Sequence, residues 1–382
     1  MTSEGKNSLP DILSEKITEA RKYLGLTLKQ VSLTTGLSVS TLSDIENDKR
    51  RVSAVELYRF AQLYHKPISF FFEQERTTAS FSILYRATAL EGSPVSRQTI
   101  STFHELCRSY KELTTAVGTP SMPSITDYSG AGLTTFNDAE QLAETERSQL
   151  GLNGQPIRDI GELLESKRGV KIFNMPEDPE IFSGAFACDE ELGPCFLINS
   201  LHPKLRRTFT IAHEYAHCLA HRNELAHIDR YNLLDIASPR ERFANAFAAA
   251  FLMPRHSVQE ILSQLISRYE KGITFDIVIR LAVYFGISFE AAGWRLVSLR
   301  RLSRVDWEEI RDEWKIKYPT VKLLGYQNEL DVPETMPQHY RFLANKAYGE
   351  KLISFERLAE LLGRNYFELR EEFSKAKEEG NG

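Results

Sequence analysis

The segment His213-Glu214-Tyr215-Ala216-His217 carries the densest chemistry in the chain. On a helix, residues four apart project about 40° from one another and are near neighbours in space. His213 and His217 can therefore offer two imidazole nitrogens to a single cation. Glu214 falls beside them, where its carboxylate can take a proton from water activated by that cation. These are the mechanics of the H-E-x-x-H zinc hydrolase motif. A His-His-carboxylate set also suits non-haem iron, but that chemistry has no use for an adjacent Glu214, so hydrolysis with Zn2+ is the expected reaction.

A catalytic zinc needs a third protein ligand and one open position. A histidine six residues past His217 would suit one arrangement, but that position is Asn223. His221 lies on the same helix face, yet His213 to His221 spans roughly 12 Å of helix, too far to converge. It is expected to serve the helix C-terminus. Glu241 is the better third ligand, at the start of the next helical segment, Glu241-Arg242-Phe243-Ala244-Asn245-Ala246-Phe247-Ala248. Asn245, one turn on, is placed to hydrogen-bond a ligand from behind. For an oxyanion donor, His202, His227 and Tyr231 remain alternatives. Cys195 could approach the metal as a thiolate, or be a buried structural cysteine.

The elements that must hold these groups are legible in the hydrophobic pattern. Helical patterning covers about 205–222 and 239–251, with Phe209, Ile211, Ala212, Ala216 and Leu219 on a buried side of the first. Strand-like runs precede them at 170–173, 181–187 and 195–199. The run 181–187 could pair with an extended substrate as an edge strand, or be an ordinary sheet edge. Helices are expected at 99–117, from 137 to about 150, and at 157–167, and nearly everything from Val258 on reads as helical. Residues 118–132, rich in Gly, Pro, Ser and Thr, read as a linker. No internal repeat or low-complexity tract stands out.

The bulk numbers set outer limits. A chain of 382 residues suits two or three domains, and 42% hydrophobic with 26% charged residues is ordinary globular composition. A net charge of -5 argues against coating nucleic acid through charge alone. Cys107, Cys188, Cys195 and Cys218 form no C-x-x-C pair, so no disulfide framework is expected. Met1 to Pro10 has no apolar signal-peptide core, and no run approaches the roughly 18 apolar residues of a membrane span. The expectation is a cytoplasmic protein without membrane contact.

With the residues in view, Arg207 to His217 followed by Glu241, Ala244, Asn245, Phe247, Ala248, Leu252, Met253 and Pro254 resembles the ImmA/IrrE family of metallopeptidases. The resemblance spans about 137–256, including Ser183-Gly184 and Ile198-Asn199. It departs at Ala250, where many relatives carry a second acidic residue. The resemblance implies a zinc peptidase with Glu214 as general base. It also implies a protein substrate, a repressor bearing a helix-turn-helix. Self-cleavage in the 118–132 linker is a further option.

Residues 28–71 resemble the phage-repressor-like (Xre-type) helix-turn-helix. The carriers are Gln30-Val31, Gly36-Leu37-Ser38, Ser40 to Ser43, Ile45 to Asn47 and Lys49-Arg50. Thr27 and Ser38 suit helix N-caps, and Gly36 the left-handed turn between helices. The resemblance implies double-stranded DNA as partner, with Gln30, Ser40, Thr41 and Ser43 facing bases or phosphates. Lys49, Arg50 and Arg51 would clamp the backbone. Residues 1–75 are electrically neutral, and Asp44, Glu46 and Asp48 crowd the reading helix, Asp48 in place of the usual glycine. Dimerisation would double the contacts of such a module.

The expected fold class is α+β and mostly helical: an all-α module at 1–75, a helical connector at 76–136, a zincin-like domain with a small sheet and two active-site helices at 137–256, and a helical C-terminal region at 257–382. The expected function is a zinc endopeptidase that cleaves a regulatory protein. The alternative is a transcriptional regulator whose peptidase-like domain senses a metal or ligand and cuts nothing.

Overall fold

The computed structural model of the chain describes residues 9–379, except 24–25, 65–67, 73–83, 85–94, 120–124, 190–191, 223–226, 231–237, 270–271, 324–325 and 327–330. It divides into two compact units, Met1–Thr78 and Ala79–Gly382.

The first unit is all helical: α1 (Leu9–Tyr23), α2 (Leu28–Thr35), α3 (Val39–Glu46), α4 (Ala54–Tyr64) and a 3-10 turn at Ile68–Phe72. Local chemistry sets its boundaries. Thr27 and Gln30 form a capping box at the start of α2, and Gly36 closes that helix at φ 74°. Ser38 then caps α3 by accepting from the Thr41 amide. Ile17, Val31, Leu42, Ile45, Phe60 and Phe71 bury together as the core. Arg21 grips Glu46 through both guanidinium edges, its Nη2 at 2.8 Å, and fastens α1 to α3. The helix-turn-helix expected here is the fold observed. The helix stop at Gly25 and the break at Pro67 lie outside the described residues.

The second unit begins with α5 (Arg97–Ala116), α6 (Phe136–Gln149) and α7 (Ile160–Arg168). Strands β1 (Lys171–Met175), β2 (Phe182–Asp189) and β3 (Gly193–Asn199) follow, then α8 (Lys204–Ala220), β4 (His227–Arg230) and α9 (Pro239–Leu252). The chain continues through α10 (Arg255–Tyr269), α11 (Phe275–Phe285), α12 (Phe289–Ser298), α13 (Arg304–Leu323), α14 (Gln338–Gly349), α15 (Phe355–Leu361) and α16 (Tyr366–Glu379). Among the described residues the strands form one sheet in the order β1-β3-β2-β4, with β1 parallel to β3 and the other pairs antiparallel.

Both sheet faces are buried, as the period-two alternation of a strand permits. Ile172, Phe186, Phe196 and Ile198 join a core with α6 to α13. Phe173, Ala185, Cys195 and Leu197 join a second core with α5 and α14 to α16. The register of β2 slips between Phe182 and Gly184. That bulge lets Phe182 lie on the opposite face from Phe186.

Three expectations are corrected here. β2 is an interior strand, hydrogen-bonded to β3 on one side and to β4 on the other, so its backbone is not an edge open to substrate. β4 itself has no apolar alternation and went unrecognised in the sequence. The described part of the 118–132 segment is docked rather than loose: Tyr128 donates its amide to Leu219 O at 2.9 Å, and Ile125 is buried. Residues 120–124 lie outside the described residues.

The helix bearing Glu241 is anchored at its far end. Arg147 donates to Phe251 O at 2.6 Å and Arg295 to Met253 O at 2.9 Å. These are C-terminal carbonyls of α9 that the helix cannot satisfy itself. Arg295 is buried and also bonds the Glu140 carboxylate of α6, so its charge is paired inside the core.

Candidate metal centre

Helix α8 is buried continuously from Thr210 to Ala220, which holds its side chains in single positions. His213 Nε2 and His217 Nε2 lie 3.0 Å apart. Glu241, from α9, reaches both: Oε2 is 3.1 Å from His213 Nε2 and Oε1 is 3.3 Å from His217 Nε2. Their ligand atoms all fall within 4.8 Å of one another. A tetrahedral cation with bonds of about 2.0–2.2 Å separates its donors by about 3.4 Å. The donor spacing and the N, N, O chemistry therefore fit a zinc-type cation. Both histidines are nearly inaccessible while the Glu241 side chain is 16% exposed, so access to the group lies on the Glu241 side.

The outer nitrogens are also occupied. Asn245 Oδ1, on α9, lies 3.0 Å from His213 Nδ1. An amide oxygen only accepts, so that contact puts the ring proton on Nδ1 and leaves the Nε2 lone pair facing inward. His217 Nδ1 lies 3.0 Å from His221 Nδ1. The sequence assigned His221 to the helix end. Its amide does cap α8, but its ring backs His217. The i, i+4 spacing was the available signal. Phe186 of β2 stacks on the His217 ring at 6.1 Å, and Phe243 meets His221 edge-on at 5.5 Å.

Glu214 is buried and stands apart from the three-residue group, turned toward β2. A Cβ added at Gly184 would come within 3.0 Å of Glu214 Oε1, 2.8 Å of Thr210 Cγ2 and 3.3 Å of Leu197 O. Only glycine leaves the space that Glu214 fills. The sequence marked Ser183-Gly184 without revealing this role.

The remaining candidates separate. His202 sits before α8, its Nε2 donating to Pro179 O at 3.1 Å. Burial, with Arg206 nearby, pushes its pKa down to about 4. His213 lies more than two turns further on, along α8. His227 pairs with Phe186 across the β2–β4 ladder, and its side chain lies outside the described residues, as does Tyr231. Cys195 is buried on the other face of the sheet, its Sγ 3.8 Å from Leu192 O. Strand parity turns it away from α8, and the thiolate alternative is withdrawn.

In the first unit, Gln30 is exposed and its amide oxygen accepts from the Thr27 amide at 2.8 Å. Ser40 and Thr41 each share a 2.8 Å hydrogen bond with Ser38 Oγ. Ser43 O accepts from Asn47 Nδ2 at 2.7 Å. Lys49 is exposed, whereas Arg50 is held by Glu56 at 2.8 Å. The acidity of the reading helix is less than its sequence implies, because Arg21 neutralises Glu46. Asp48 takes φ 54°, the left-handed conformation in which glycine is usual.

Residues 165–297 match the peptidase M78 family model, described as IrrE N-terminal-like domain. Residues 17–71 match a helix-turn-helix family model. No curated protein matches the chain. An N-terminal helix-turn-helix is thus fused to a metallopeptidase-like domain of the ImmA/IrrE type. No helix among the described residues is long and apolar enough to cross a membrane.

Proposed function

We propose that this fusion is a zinc-dependent endopeptidase of the cytoplasm that cleaves a regulatory protein, with its helix-turn-helix directing it to DNA. The observation that carries the reading is the convergence of two imidazoles from one helix and a carboxylate from the next, with a fourth group, Glu214, buried alongside. In this reading His213, His217 and Glu241 hold the cation, and Asn245 and His221 orient the two rings. When bound, zinc supplies Lewis acidity that polarises a carbonyl and lowers the pKa of water to about 7.

Glu214 then works as general base and acid. Its carboxylate accepts a proton from the attacking water and passes it to the leaving amine nitrogen. The apolar walls from Phe186 and Phe243 exclude bulk water and strengthen each polar contact inside. The substrate class, a helix-turn-helix repressor, follows from the ImmA/IrrE resemblance. Dimerisation on DNA suits a first unit with few outward cations.

Glu214→Gln tests the reading. The change keeps the shape and leaves the three metal-binding side chains untouched, so metal content should match wild type while cleavage of the co-expressed repressor stops. A variant that still relieves repression normally would instead support a regulator that senses a metal or ligand without cutting.

A further inference from the structure

The face of α8 that carries Glu214 is laid along β2. Thr210, Glu214 and Cys218 recur every four residues on that face of the helix. Gly184, Phe186 and Cys188 alternate onto the facing side of the strand. The contacts run in step. Thr210 and Glu214 abut Gly184, and the His217 ring stacks on Phe186. At the end of the row the Cys218 thiol donates to Cys188 Sγ. Two cysteines distant in the chain thus meet sulfur to sulfur, and both remain thiols.

This pair differs from the other two cysteines. Cys107 and Cys195 are buried in the second core, on the other side of the sheet. The Cys195 thiol is turned to the carbonyls of Leu192 and Gly193. Cys218 is also buried, whereas Cys188 is half-buried, so it alone of the four offers its sulfur to small solutes. Arg222, one turn past Cys218, hydrogen-bonds the Cys218 thiol and donates to Cys218 O at 3.2 Å. A guanidinium held beside sulfur is the electropositive setting in which cysteines react with oxidants. Neither sulfur belongs to the group formed by His213, His217 and Glu241.

We infer that Cys188 and Cys218 form a reversible redox site, a dithiol that a hydroperoxide closes to a disulfide. The half-buried Cys188 sulfur attacks hydrogen peroxide, breaking the O–O bond and giving a sulfenic acid and one water. Cys218 then attacks that sulfur. The S–S bond forms, the S–O bond breaks, and the departing hydroxide leaves with the Cys218 proton as a second water. The two thiols lose two electrons to the peroxide, and a dithiol reductant returns them by exchange. The new bond fastens α8 to β2 one residue past His217 and one turn past Glu214. Oxidant thereby acts on the packing of the face that carries both.

Thiol titration of the full chain tests this, with native protein treated with hydrogen peroxide and then denatured. Wild type holds four thiols, which should fall to two, and a non-reducing digest should yield a peptide linking Cys188 to Cys218. Dithiothreitol should restore all four. Cys188→Ala should keep its three thiols at the same dose, because Cys218 is out of reach of the peroxide. Cys218→Ala should give a sulfenic acid at Cys188 that dimedone traps, and no linked peptide. Cys188 is only half-buried, so its replacement leaves the core intact. A wild type that keeps four thiols, loses them without the linked peptide, or links any other pair would overturn the inference.

Discussion

Asn245 Oδ1 on α9 stands 3.0 Å from His213 Nδ1 on α8, so the helix that supplies Glu241 also sets the proton of the imidazole beside it. One helix thereby contributes a ligand and fixes the tautomer of another. Asn245→Ala should weaken metal binding by about 10–100-fold, the usual effect of losing such a partner, while Asn245→Asp should retain most of it. Competition with a chromophoric chelator reads the difference. Equal affinities in all three proteins would show that His213 needs no partner.

Gly184 is the strand position that faces Glu214. Gly184→Ala places a methyl group against Thr210 Cγ2 and the Leu197 carbonyl, and the second of these is backbone and cannot yield easily. The expected cost is about 1–3 kcal/mol of stability, as for overpacking elsewhere. Glu214 should also be displaced, so activity should fall further than the thermal shift alone explains. Denaturation melts together with cleavage rates on the same samples check both parts.

His202 links stability to pH. Its folded pKa, pushed down to about 4 by burial, lies below the unfolded value near 6.5. The stabilisation is therefore complete above about pH 6.5 and is lost as the pH falls toward 4, where the unfolded chain takes the proton and the fold does not. The loss is on the order of 3 kcal/mol across that window. Unfolding free energies measured between pH 4 and 7 should slope less steeply in His202→Gln than in wild type. Parallel curves would assign the acid sensitivity to other groups.

Much of this architecture was legible in the sequence because it is written in local pattern. The α8 and α9 helices, the first three strands and the capped turns of α2 and α3 follow from periodicity, caps and glycine. What escaped depends on partners distant in the chain. His227–Arg230 becomes a strand only because β2 offers it a ladder, and that pairing makes β2 interior. Cys195 is excluded from the site by strand parity, which becomes decisive only once both faces of the sheet are known to be buried. His221 could be placed on the right helix face from spacing, but its ring contact with His217 required the packed helix.

The central claim is that His213, His217 and Glu241 form one cation site with Glu214 beside it and outside it. Elemental analysis of purified wild type, His213→Ala, Glu241→Ala and Glu214→Gln tests it most directly. Wild type and Glu214→Gln should each hold one zinc per chain, and the other two little or none. Full zinc content in His213→Ala or Glu241→Ala, with the fold intact by circular dichroism, would contradict it.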